Sequence, residues 1–172
     1  LIRRCTESDL EAIFQIINDG AQAYKVSIPD DLWHEPYMPM EELRDEIKKG
    51  VRFWGLERDG QLVGVMGLQD RGDVDLIRHA YVRTRAQRTG VGTRLLQHLE
   101  SSSERPILVG TWAAASWAIS FYERNGYSRV PKEEAELLLK SYWTIPERQI
   151  ETSVVLANEA WRTARPLDLT HR

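Results

Sequence analysis

Residues 80–96 constrain this chain more than any other stretch. An extended run, Ala80-Tyr81-Val82, breaks into the glycine-spaced turn Gln87-Arg88-Thr89-Gly90-Val91-Gly92, and Thr93-Arg94-Leu95-Leu96 continues as a helix. The first turn of a helix carries backbone N–H groups with no intrahelical acceptor, and the aligned peptide dipoles make that end positive. Such a turn suits a diphosphate or similar polyanion, and Gly90 and Gly92, lacking Cβ atoms, let its oxygens approach the main chain. The spacing is neither the three-glycine turn of a dinucleotide site nor a nucleoside triphosphate loop ending in Gly-Lys-Ser/Thr. Alone, it reads equally as an ordinary strand-to-helix turn.

Farther along, Pro106–Trp112 reads as a short buried strand and Ser116–Tyr127 as a helix ending at a glycine C-cap. Gln87-x-x-Gly90-x-Gly92 resembles the acyl-coenzyme A signature, Gln/Arg-x-x-Gly-x-Gly/Ala, of the GNAT superfamily of N-acetyltransferases. Ala118, Phe121, Tyr122, Glu123, Arg124, Gly126 and Tyr127 fall on a second pattern of that superfamily, Ala-x-x-Phe-Tyr-Glu-(Lys/Arg)-x-Gly-(Phe/Tyr), carried by the helix after the strand beside the coenzyme. Two motifs in the right order, with a strand between them, argue against an accidental match.

At 172 residues the chain is about one domain, long enough to bury a core without disulfides or metal. A net charge of −3 leaves no basic footprint for nucleic acid. Cys5 is the single cysteine and forms no internal bridge, so nothing points to an oxidising compartment. No apolar run has the length to cross a bilayer and no secretory leader is read, so a cytoplasmic protein without membrane partners is expected. Leu1 in place of Met implies an initiator before the numbered chain.

Leu1–Cys5 is read as a first strand. Thr6 or Ser8 caps a helix over Asp9–Asp19, ended by Gly20, whose Leu10, Ile13, Phe14 and Ile17 share one face. Ala21–Pro39 loses periodicity and gains Trp33, His34, Tyr37 and Met38 among its prolines. Such a segment is a binding loop or lid, or equally a surface loop anchored by large side chains. Met40–Lys49 is a short helix stopped by Gly50. Val51–Leu56 and Gln61–Leu68 flank Glu57-Arg58-Asp59-Gly60, a hairpin signal, and Asp73–Val82 continues the sheet. A helix over Gly90–Ser101 buries Val91, Leu95, Leu96 and Leu99. Tyr127–Val130 is a strand, Lys132–Tyr142 a helix after Pro131, and Glu151–Ala157 a last strand that, with the tail, is an expected place for pairing in a homodimer. This order gives an α+β chain. It resembles the GNAT fold, a central mixed, mostly antiparallel twisted sheet flanked by helices on both faces, over a single domain at 1–157 with a C-terminal tail at 158–172.

The resemblance implies the following roles. Tyr81, Val82 and Arg83 lie along the pantetheine arm, Gln87, Arg88, Thr89, Gly90, Val91, Gly92, Thr93 and Arg94 surround the phosphates, and main-chain N–H groups near Val82 stabilise the oxyanion. An amine attacks the thioester directly, with no metal, and Tyr122 protonates the departing sulfur. Tyr122 also reads as a packed core tyrosine. Superfamily bases are histidine or glutamate on the strand face shared with Val82. Strand alternation puts Leu76, Arg78 and Ala80 on that face, and Asp75, Ile77, His79 and Tyr81 on the other. Arg78 binds an acceptor carboxylate or else pairs with an acid such as Asp75 or Glu123. Parity aims His79 away from the cleft, as a satisfied core histidine, which leaves His34 and Glu35 as runners-up for the base. Many relatives carry an Asn where Ala115 stands, so Ser116 or Trp112 is asked to supply that contact; Trp112 and Trp117 also read as core residues.

The expected function is transfer of an acetyl group from acetyl-CoA to the primary amine of a small molecule in a ternary complex. Trp33, His34, Tyr37, Arg78 and Trp112 are the expected acceptor contacts, since a Trp33/His34/Tyr37 lid narrows the groove a peptide would need. The alternatives are a protein α-amine or lysine acceptor, a non-catalytic acyl-CoA sensor, and an interaction protein that only uses the fold.

Overall fold

The computed structural model describes residues 1–164, so the end of the expected tail, 165–172, lies outside the described residues. Seven strands make a mixed sheet with helices, the α+β class expected. The chain forms two compact units, one of Leu1–Asp70 with Ile77–Ser102 and one of Arg71–Leu76 with the residues from Ser103 on.

In the first unit the strand order is β1 (Ile2–Arg4), β2 (Val51–Arg58), β3 (Gln61–Asp70) and β4 (Asp75–Val82). β2 pairs antiparallel with both β1 and β3. Asp59 and Gly60 have φ of +54° and +79°, the two-residue turn whose twist suits a tight hairpin, so both strands run right up to it. Every residue from Leu62 to Gln69 is buried, which is why β3 reads as one apolar run without alternation.

Thr6 starts a 3-10 turn, Glu7–Asp9, ahead of α1 (Leu10–Gly20). Its amide donates to Asp9 Oδ2 at 2.7 Å, and Arg3 donates to both Asp9 oxygens at 2.9 Å. Ile13, Ile16, Ile17 and Gly20 are the buried stripe of α1, while Leu10 and Phe14 are only half-buried at its edge. Gly20 does not stop the winding: a 3-10 turn over Ala21–Tyr24 follows it directly. Its function is proximity, because a Cβ there would meet Tyr81 Cβ at 3.0 Å and Val82 O at 3.1 Å. α2 (Met40–Lys48) ends before Gly50, whose φ is +104°. α3 (Val91–Ser102) buries Val91, Leu95, Leu96 and Leu99 as expected, and sits so close to β3 that a Cβ on Gly64 would meet Val91 Cγ1 at 2.6 Å.

In the second unit β5 (Ile107–Trp112), β6 (Ser128–Arg129) and β7 (Ser153–Ala157) take the order β5-β7-β6, all antiparallel. β7 is therefore an inner strand, paired on both sides, and the edge is the two-residue β6. α4 (Ser116–Arg124) and α5 (Lys132–Tyr142) lie where the periodicity predicts. α6 (Glu147–Glu151), one turn after Pro146, was not foreseen, nor was α7 (Glu159–Ala164) at the start of the expected tail. Trp161 of α7 packs on a core that includes Leu76, Leu108, Leu139 and Val155. Among the described residues no helix is long and apolar enough to cross a membrane.

Candidate active site

The turn before α3 is built to leave donors free. Arg88 and Gly90 have φ of +65° and +88°, left-handed values that swing the chain into the helix, and space around Gly90 is open. The first α-helical bond runs from the Arg94 amide to Gly90 O at 3.1 Å, so the amides of Val91, Gly92 and Thr93 have no acceptor among the described residues. Arg88, Thr89, Gly90 and Arg94 are exposed. The turn is braced from three sides. Gln87 Nε2 donates to Val82 O at 3.3 Å, Thr89 Oγ1 donates to Ala86 O at 2.6 Å, and Arg58 donates to Thr89 Oγ1 at 2.8 Å and Thr89 O at 3.2 Å. Before it, Asp19 at the end of α1 accepts from the Thr84 amide at 2.7 Å and its hydroxyl at 3.0 Å. Together with Tyr81, Val82 and Arg83, the predicted coenzyme residues form one continuous feature of the first unit.

The aromatic segment is irregular, as its composition predicts, apart from a 3-10 turn over Asp30–Leu32. Trp33 and His34 each stack with Tyr37, at 5.4 Å and 6.4 Å between ring centroids, and Trp33 Nε1 donates to Glu35 at 3.0 Å. The ends of the segment are fastened by Asn18 of α1. Its Nδ2 donates to Met38 O at 2.9 Å and its Oδ1 accepts the Met38 amide at 2.8 Å.

On β4 the expected parity fails. His79 has φ +56°, a left-handed residue inside a strand, and Arg78 and His79 consequently reach the same acid. Arg78 Nη2 and His79 Nε2 each lie 2.7 Å from Glu46 Oε1 of α2, with the three side chains 14–16% exposed. Arg78 also donates to Gln69 Oε1 at 2.8 Å. Glu46, which sequence reasoning did not name, is thus an acid that pairs with Arg78, while Asp75 accepts from Ser103 at 2.6 Å. An Arg78 held this way is not an open clamp for an acceptor carboxylate. Burial pushes the Glu46 carboxyl up, but the His79 hydrogen bond and the Arg78 charge outweigh it and hold the group below its ordinary value. Burial pushes the His79 imidazole down, and the Glu46 bond offsets only part of that. Glu42, one turn earlier on α2, is pushed up by burial and by Glu46, with His34 and Arg78 acting in the other direction.

The second unit holds the remaining candidates. Tyr122 is 5% exposed, edge-on to Phe121 at 5.0 Å and to Tyr127 at 5.7 Å. Gly126 ends α4 as predicted: φ is +94°, its amide donates to Glu123 O, and that of Tyr127 donates to Tyr122 O. Trp112 is buried at the end of β5 and Ala115 is fully buried at the N-cap of α4. Trp117, by contrast, is 48% exposed and not a core residue. Burial pushes the Cys5 thiol up to about 12, away from the reactive thiolate form.

Glu46, Asn18, Asp19 and Arg58 escape sequence reasoning. Each acts on a partner distant along the chain, and only Asn18, a poor helix former inside α1, gives a local hint.

The chain as a whole resembles known proteins. A family model described as "Acetyltransferase (GNAT) domain" matches residues 17–137, both motifs included. UPF0157 protein YqkA of Bacillus subtilis (strain 168) is 29% identical over 125 residues, 70% of this chain but 36% of that protein, so the chain spans about a third of that relative's length. The PaiA N-acetyltransferase of Thermoplasma acidophilum, solved in complex with coenzyme A, superposes with a TM-score of 0.70 at 18% identity, over 92% of this chain and 97% of the other. The ribosomal-protein-S18-alanine N-acetyltransferase of Escherichia coli does so with a TM-score of 0.64 at 17% identity, over 92% of each. With its phosphate-type turn, its strand and helix order and this match over more than half its length, the chain belongs to the GNAT acetyltransferase family.

Proposed function

We propose that the protein is an acetyl-CoA-dependent N-acetyltransferase that modifies the primary amine of a small molecule by direct attack within a ternary complex. The observation that carries this reading is the braced turn at 87–94, whose three unclaimed amides and exposed Arg88 and Arg94 suit the diphosphate of coenzyme A. In this reading Tyr81, Val82 and Arg83 run beside the pantetheine arm and Tyr122 protonates the thiolate. The Thermoplasma relative's bound coenzyme supports the choice of cofactor. The stacked Trp33, His34 and Tyr37 form the acceptor's wall, an apolar surface with Glu35 and Glu42 nearby to favour a cation.

Titration calorimetry with coenzyme A and with its pantetheine fragment alone tests the turn. Coenzyme A is expected to bind at least tenfold more tightly than pantetheine, and Arg88→Ala with Arg94→Ala to remove most of that difference. A coenzyme-release assay then compares pooled small amines with peptides bearing free N-termini. A protein acceptor is the second reading, favoured by the likeness to the ribosomal-protein enzyme, and turnover of peptides alone would establish it.

A further inference from the structure

Arg58 ends β2 one residue before the Asp59-Gly60 turn and faces Gln61 across the hairpin, just past a register shift between Leu56 and Glu57. One guanidinium nitrogen donates to the Thr89 hydroxyl at 2.8 Å and another to the Thr89 carbonyl oxygen at 3.2 Å. A planar fork of this kind grips the side chain and main chain of one residue at once. The gripped residue stands between the two left-handed positions of the turn, Arg88 at φ +65° and Gly90 at φ +88°. A Cβ on Gly90 would have nothing within 4 Å, so no neighbour confines that backbone, and Arg88 sits in a region that a residue with a Cβ disfavours. The order of the turn therefore depends on what holds Thr89. Its hydroxyl gives its one proton to Ala86 O at 2.6 Å while accepting from Arg58, so it shapes the turn and has no proton left for a bound anion.

The stretch leading into the turn is tied to the same hairpin. The Arg83 amide donates to Val63 O at 2.8 Å, Arg83 Nε to Leu62 O at 2.9 Å, and Arg85 to Gln61 Oε1 at 3.3 Å. Arg58 is the last of these ties and the one next to Val91, Gly92 and Thr93, whose amides face no intrahelical acceptor. Among the described residues it enters no ion pair, and both its hydrogen bonds end on Thr89. Resting on the use of the turn for the coenzyme diphosphate, we propose that Arg58 is a positioning residue of the phosphate site. By fixing Thr89 it holds the amides of 91–93 in their anion-binding arrangement before the coenzyme arrives. A site ordered in advance binds more tightly, because less freedom is lost on binding. The hairpin end thereby becomes part of the coenzyme site through Thr89 alone.

Arg58→Ala removes both bonds at the surface end of the hairpin and leaves the core untouched. Calorimetry is expected to show coenzyme A bound about tenfold more weakly, with the affinity for pantetheine within about twofold of the parent. Thr89→Val breaks the contact from its other side. It is expected to weaken coenzyme A binding at least as much, and adding Arg58→Ala to it to weaken binding by less than about threefold more. Losses that multiply in the double variant would make Arg58 a charge acting on the ligand itself and overturn the positioning role. Coenzyme A affinity within about twofold of the parent in Arg58→Ala, or an equal fall for pantetheine, would overturn it too. Amide exchange in the coenzyme-free protein gives a readout that requires no ligand. The Gln87 and Arg94 amides, bonded to Thr84 O at 3.3 Å and Gly90 O at 3.1 Å, are the ones to follow. In Arg58→Ala they are expected to exchange about fivefold faster or more, while the amides of Leu96 and Leu99 keep the parent rate. Unchanged exchange at Gln87 and Arg94 refutes the proposal. Failure of the parent to bind coenzyme A would instead sink the acetyltransferase reading.

Discussion

Asp9 is a small hub. Arg3 reaches it with two N–H donors and also donates to Glu57 at 2.8 Å, so one guanidinium joins β1, the start of α1 and β2. These Arg3 hydrogen bonds, helped by the Thr6 amide, hold the Asp9 carboxyl at about 2. A folded value below the unfolded one gives stability that is present above about pH 4 and lost as pH falls toward 2. Asp9→Asn should therefore cost roughly 1–2 kcal/mol at pH 7 by chemical denaturation, discounted for the partial exposure of Arg3, and the gap to the parent should close near pH 2. A gap that persists there would place the effect in packing. At Tyr122 the prediction concerns chemistry. Tyr122→Phe should lower kcat by about tenfold or more with coenzyme affinity within about twofold, and turnover within about twofold of the parent would leave Tyr122 a packing residue.

Gly64 makes the corresponding point for elements. With a Cβ 2.6 Å from Val91, Gly64→Ala must push the first turn of α3 away from β3. The change should cost about 1–3 kcal/mol and weaken coenzyme A binding more than pantetheine binding, since the displaced end is the one that offers amides. Equal weakening of both would separate the helix from the phosphates. Elements of this chain were legible wherever one period ran unbroken: the α3 face matches the structure residue for residue, and the Asp59-Gly60 hairpin lies where it was read, with β2 and β3 each running two residues farther. The face assignment on β4 was not, because alternation presumes extended φ at every position and His79 departs from it. α6 is too short for a 3.6-residue period to register. Of the candidate site, the glycine turn is local and could be read; the Glu46 contacts join positions more than thirty residues apart and carry no local mark.

For the molecule as a whole, ligand linkage gives the simplest test. Coenzyme A at about a hundred times its Kd should stabilise the folded chain by about 2.7 kcal/mol and raise Tm by roughly 5–10 °C. No shift at millimolar coenzyme A would contradict the proposed use of the turn. If the aromatic segment is the acceptor's wall, as proposed above, the chain also carries a device for changing its acceptor. Because Asn18 clasps both polar groups of Met38, everything between them is a closed ring whose ends are held independently of its contents. Asn18→Ala should raise KM for the amine by about tenfold while that for acetyl-CoA stays put, as a loosened ring stops presenting its aromatic wall. With the clasp intact, Trp33, His34 and Tyr37 become interchangeable fittings: swapping that ring between relatives would retune which amine is chosen and leave the scaffold beneath untouched.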